Sequence, residues 1–337
     1  MRKLFIFFCL TLPSGGVFAQ QLPQYTQYIF NNYLLNPALS GIENYIDVKG
    51  GYRDQWNGLD GGPVTTYISA NAPIGNKFTN GDATGFPEKG NNPMNRNFVQ
   101  TYMASEPHHG VGLHAVIDKS GPLSRTDLNA TYAYHLGLTE KLNISVGIAA
   151  GISKIDLNTS KLVLGEENTV DPAITGNSSQ TTPDLGAGIW VYGPTFFAGV
   201  SARQLLSQKL NFGSVEGSNT GKLSPHMFFT AGYKFFLSEN IAAIPSVMVK
   251  YVSPAPTSYD ANFKVAFQDR FWVGGSYRKD DSFAGLLGFN LSHLFNLSYS
   301  YDFTTSDLKT VSRGSHEIVL GLLLNNRYKV TCPQKTF

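Results

Sequence analysis

Cysteine is nearly absent: the 337 residues contain only Cys9 and Cys332. Cys9 lies in a hydrophobic N-terminal run, so removal of that run leaves a chain unable to form an internal disulfide. Its stability must then come from packing or from a membrane. Charge is also sparse, with 15% Asp, Glu, Lys and Arg against about a quarter or more on a soluble surface. The formal net charge of +2 provides no basic field for nucleic acid. After Ala19 no apolar run reaches the ~20 residues of a helical span. Any crossing of a bilayer there falls to a closed β-barrel, the other arrangement that satisfies every backbone polar group in lipid. Catalytic signatures are missing too. With no nucleophile elbow, phosphate loop, CxxC or HExxH in the chain, an enzyme is not expected.

Residues 1–19 combine Arg2 and Lys3, the run LFIFFCLTL and the small-residue end Val17-Phe18-Ala19. This pattern predicts a secretory signal peptide cut before Gln20. The run is too short for the alternative, an N-terminal transmembrane anchor. The expected organisation is signal peptide (1–19), an N-terminal plug or periplasmic segment (20–42), and one transmembrane β-barrel domain (43–337).

What the chain has in abundance is Gly, Tyr and Phe, at 34, 17 and 23 residues, and alternation of period two. In LNATYAYHLGL, Leu128, Ala130, Tyr132, Tyr134, Leu136 and Leu138 share one face. The next run puts Leu142, Ile144, Val146, Ile148, Ala150 and Ile152 together after the tight turn Thr139-Glu140-Lys141. FNLSYSYDF repeats the arrangement at Phe295, Leu297, Tyr299, Tyr301 and Phe303. Such runs match the ~9 to 11 residues of a tilted membrane strand, and their aromatics suit interfacial girdles. Further strands are expected at 43–56, 63–72, 109–118, 183–193, 195–205, 225–237, 240–252, 258–268, 270–279, 282–290 and 314–328. The total of fourteen is even, as an antiparallel barrel from one bacterial chain requires. A soluble β-sandwich with one wet face is the competing architecture. Short turns at 139–141, 238–240, 268–270 and 279–282, set against long segments at 74–107, 155–182, 206–223 and 305–313, fit periplasmic turns and external loops.

Ahead of the strands stands QYIFNNYLLNPALSG, Gln27 to Gly41. Its apolar residues are too interrupted to cross a bilayer, yet too many to leave in water. Asn36 can cap a turn whose first helical position is Pro37, with Ala38 small enough to pack closely. The segment is expected inside or beneath the barrel as a partial plug, burying Tyr28, Phe30, Tyr33, Leu34 and Leu35. A frayed periplasmic tail is the other reading.

Among charged residues, Arg53, Asp54, Asp302 and Arg313 are candidates for an internal network. Arg278, in the turn RKDD, and Asp184 read as hydrated rim residues. His316-Glu317 reads as a rim pair. His108 and His109 beside Glu106 lack a third ligand at metal spacing and are assigned to a surface loop.

Several separated blocks resemble one family. They are QYTQYIFNNYLLNPALSG, PDLGAGIWVY with FFAGVSARQLL, GGSYRKDDSFAGLLGFN, YSYDFTTSDL, GSHEIVLGL and the closing Cys332-Pro333. Together they are similar to the PorP/SprF family of Bacteroidetes over essentially the whole mature chain. The resemblance implies a cell outer-membrane β-barrel of the type IX secretion system, associated in some members with gliding motility. It implies delivery or anchoring of a large secreted protein through a C-terminal sorting domain. The implied partners are outer-membrane lipid, secretion components and that secreted protein, with no nucleic acid and no cofactor. The alternative is an outer-membrane channel for small solutes, its lumen neutral and lined by Asn, Ser, Thr and Gly.

Overall fold

Fourteen strands close into an antiparallel barrel in a computed structural model that describes residues 22–75, 94, 96, 98–161, 178–210, 221–268 and 270–326. They are β1 (Ile46–Asp54), β2 (Val64–Ile74), β3 (His108–Ser120), β4 (Leu123–Thr139), β5 (Leu142–Leu157), β6 (Ser178–Tyr192) and β7 (Phe196–Arg203). The second half comprises β8 (His226–Tyr233, continued by Phe235–Phe236), β9 (Ile241–Val252), β10 (Ser258–Phe267), β11 (Phe271–Arg278), β12 (Ser282–Asn290), β13 (Phe295–Thr304) and β14 (Ser315–Leu324). Each strand pairs with its neighbours in the chain, and β1 pairs with β14 to close the ring. The expected signal peptide and Cys332 lie outside the described residues.

Burial is inverted relative to a soluble protein. Along β5, Val146, Ile148 and Ile152 are exposed while Asn143, Ser145 and Ser153 are buried. Ile68, Leu113, Phe263 and Leu320 likewise face out, and Ser69, His114, Asn262 and Ser298 face in. Such a surface is stable only against hydrocarbon, because burying apolar area away from water is favourable by roughly 25 cal/mol per Å². Among the described residues no helix is long and apolar enough to cross a membrane; the strands do so. Outward aromatics gather at two levels, with ring contacts between Tyr277 and Phe283 at one (4.7 Å) and between Phe267 and Phe271 at the other (5.4 Å). These are the interfacial girdles of an outer-membrane barrel.

Antiparallel order assigns every connection to an end. The proximal end, where β1 begins and β14 finishes, carries the turns 140–141, 193–195, 237–240, 268–270 and 291–294, together with the long connection 75–107. The distal end carries 55–63, 158–177, 204–225 and 305–314, with shorter connections at 121–122, 253–257 and 279–281. The expected grouping of 74–107 with 155–182 on one side is therefore corrected, as is that of 279–282 with the proximal turns. Loop length suggested the grouping, but strand parity decides it. Strands also run into the expected 155–182 loop, since β5 reaches Leu157 and β6 starts at Ser178. There the outward residues Lys154, Ser179 and Thr181 are polar, because a strand rising beyond the lipid needs no apolar face.

Candidate functional site in the barrel lumen

Three short 3-10 turns, Gln27–Ile29, Asn32–Leu34 and Pro37–Leu39, fold the N-terminal segment among the inward-facing side chains. Tyr28, Phe30, Tyr33, Leu34, Leu35, Asn36, Pro37 and Ala38 are all buried. Asn36 accepts a hydrogen bond from the Ala38 N–H at 3.0 Å, capping the turn that Pro37 begins. Its amide donates to the main-chain carbonyls of Ile189 (3.1 Å) and Val200 (3.3 Å), one on β6 and one on β7. This close approach depends on Gly147 and Gly188, which pair across β5 and β6. A methyl group on Gly147 would overlap the Ala38 backbone, and one on Gly188 would overlap the Asn36 side chain.

The rest of the segment is bonded around the wall. Tyr33 shares a 2.7 Å hydrogen bond with Thr131 of β4, and Asn31 donates to Ser69 of β2 at 3.1 Å. Ser201 of β7 donates to the Leu35 carbonyl at 2.8 Å. Tyr28 meets the Asn262 amide of β10. Near the proximal end, His135 donates from Nε2 to the Ser40 carbonyl at 2.8 Å, and the Gly41 N–H donates to Asn71 at 3.0 Å. His108 stacks on His135 with ring centroids 4.5 Å apart and lies 3.0 Å from the Gly41 carbonyl. The surface-loop assignment of His108 is thus overturned. The residues form a facing pair on β3 and β4, a register no spacing in the chain discloses. His109, its neighbour, faces outward and bonds the Tyr132 hydroxyl at 2.6 Å.

Near the distal end the lumen is charged. Arg53 is 1% exposed and binds Asp302 at 2.7 Å and Glu317 at 3.1 Å. Thr26 joins them, its hydroxyl donating to Asp302 at 2.7 Å and its N–H to Glu317 at 2.8 Å. One guanidinium and two carboxylates thus enclose the start of the N-terminal segment. Charge-assisted hydrogen bonds of this kind are roughly twice as strong as neutral ones.

The other charged candidates disperse. Arg278 is buried rather than hydrated, pairing with Asp260 at 3.0 Å and Asp281 at 3.2 Å and donating to the Tyr25 carbonyl. Asp184 is also buried and lies 3.5 Å from Arg203, which donates to the Leu34 carbonyl. Both face inward on alternating strands, so their position beside a turn or a proline was misleading. Glu317 belongs to the Arg53 network, whereas His316 points to the other face and bonds Tyr299 at 2.7 Å. Asp54 is half-buried and accepts from Asn57, and the Arg313 side chain is exposed, so neither joins the network.

Sequence reasoning missed Thr26, Arg125, Asp127, Arg203 and Asp260. Arg125 and Asp127 pair at 2.9 Å, and Lys49 and Asp47 at 2.5 Å, so the lumen is not the neutral one that the solute-channel alternative requires. The signal was present as i, i+2 charges on inward faces; it is legible once the strands' facing is known. Among the described residues no three His, Cys, Asp or Glu side chains gather as a metal site.

The segment 98–107 lies over the proximal mouth. The Asn143 amide donates to the Tyr102 hydroxyl at 2.7 Å, the Ser105 N–H donates to Asn143 at 2.9 Å, and the Ala104 N–H donates to the Glu140 carbonyl at 2.7 Å.

A family model described as type IX secretion system membrane protein PorP/SprF matches residues 17–322. Among curated proteins none matches the chain. The solved structure of the Ralstonia pickettii toluene transporter TbuX is similar in fold, with a TM-score of 0.51 at 9% identity over 86% of this chain and 92% of that one. A Pseudomonas aeruginosa FadL homologue aligns with a TM-score of 0.47 at 11% identity over 89% and 94%. At these identities the likeness concerns the barrel alone.

Proposed function

Because the chain belongs to the PorP/SprF family of type IX secretion system membrane proteins, we propose that it delivers or anchors a secreted surface protein, such as a gliding adhesin, at the outer membrane. Recognition is through that protein's C-terminal domain, and no reaction is catalysed. The observation that carries this reading is the filling of the lumen between Thr26 and Gly41. Side chains from β1, β2, β4, β7, β10, β13 and β14 bond to this segment. It acts as a plug, which favours a role for the rims and distal connections over passage of solute through the centre. Lipid covers the outward apolar face.

The test is affinity isolation of the tagged protein from mild-detergent outer-membrane extracts. Recovery of a large secreted chain, lost when that chain's C-terminal domain is deleted, is the expected result. Recovery of the barrel alone from cells expressing the secretion components, together with steady conductance in a planar bilayer, would replace this reading with that of a small-solute channel.

A further inference from the structure

The N-terminal segment enters the lumen from one end of the barrel and leaves it at the other. At its start, the Leu22 N–H donates to His226 at 3.0 Å, and His226 opens β8 at the distal mouth. Tyr25 and Thr26 are held by Arg278, Asp302, Glu317 and Arg53, all at the distal ends of their strands. Asn36–Ala38 lie between, against Gly147 and Gly188. Ser40 and Gly41 meet His135, His108 and Asn71 toward the proximal mouth, and β1 begins there at Ile46. The segment has therefore traversed the lumen before the first strand is built.

We infer that the chain enters the lumen at Leu22 through the distal mouth, on the cell-surface side, opposite the end at which β14 finishes. The outward orientation follows from loop length: bacterial barrels keep short turns in the periplasm and longer loops outside. Four of the seven distal connections are long, whereas five of the six proximal ones are tight turns. A peptide threaded in this way is enclosed by a closed hydrogen-bonded ring. This placement is independent of whether the barrel handles a secreted protein.

The test uses single cysteines in a Cys9→Ser, Cys332→Ser background: Gln21→Cys just ahead of Leu22, Ser160→Cys at the distal end and Glu140→Cys at a proximal turn. Intact cells are treated with a membrane-impermeant maleimide, and barrel integrity is checked by heat-modified gel mobility. Gln21→Cys and Ser160→Cys are expected to label fully without permeabilisation, and Glu140→Cys only after it. Labelling of Gln21→Cys only after permeabilisation, together with Glu140→Cys, overturns the proposal. A second measurement needs no cells. In proteoliposomes of phosphatidylethanolamine and phosphatidylglycerol, energy transfer from a fluorophore at position 21 is compared with acceptors at positions 160 and 140. Stronger transfer to 160 is expected; stronger transfer to 140 sinks the threading.

Discussion

Arg53 on β1 binds Asp302 on β13 at 2.7 Å, reaching across the intervening strand β14. The bond spans the seam at which the last strand meets the first, and Glu317 of β14 lies within it. Arg53→Met would leave two carboxylates buried without their cation, a change that typically costs about 3 to 5 kcal/mol. The expected outcome is a marked fall in the urea midpoint of the detergent-purified barrel. Arg313→Ala, at an exposed side chain, should move that midpoint by no more than about 0.5 kcal/mol. Equal effects of the two would remove the network from any account of closure.

Asn36 serves both as acceptor and as donor, and two substitutions separate the roles. Asn36→Ala removes the cap and leaves the bonds to Ile189 and Val200 unmade, for a cost of about 1 to 3 kcal/mol. Asn36→Asp keeps the acceptor for the Ala38 N–H but turns a carboxylate toward two carbonyls. It should be the more destabilising of the pair, measured by the same unfolding transition. An aspartate variant as stable as the wild type would show that the amide makes no contribution.

Gly188→Val puts branched carbon where the Asn36 side chain lies. The barrel strands should still form, because Val suits a strand, while the N-terminal segment loses its seat. Limited proteolysis should then cut between Gln27 and Gly41 at least tenfold faster than in the wild type. Planar-bilayer recordings should show conductance in the variant and none in the parent. Unchanged proteolysis and a silent bilayer in a folded variant would count against the segment as the closing element.

Ile148 and Ser145 lie three residues apart on β5 but face different media, lipid for the first and lumen for the second. Ile148→Arg should cost about 2 to 4 kcal/mol near the bilayer midplane and lower the folded fraction recovered in the outer membrane. The milder Ile148→Thr should be tolerated better. A folded yield for Ile148→Arg equal to that of the wild type would mean that this face does not contact hydrocarbon.

Local chemistry in the chain determined the fold class. Alternation at 128–138, 142–152 and 295–303, with few charges and no helical span, leaves a barrel, and the period of two fixes which residues face lipid. The cap at Asn36 is local too, needing only Pro37 and Ala38. Tertiary structure decided what the lumen contains. Arg53 and Asp302 are 249 residues apart, and Arg203 finds Asp184 only when β6 and β7 pair, so no spacing predicts either bond. His108 shows the same limit, since its burial follows from its register with His135 and not from its neighbours in the chain. Which connections share an end was also beyond loop length, because parity accumulates strand by strand around the ring. Short-range sterics and hydrophobic pattern are written into adjacent residues; register and ring closure arise only from the whole set of strands.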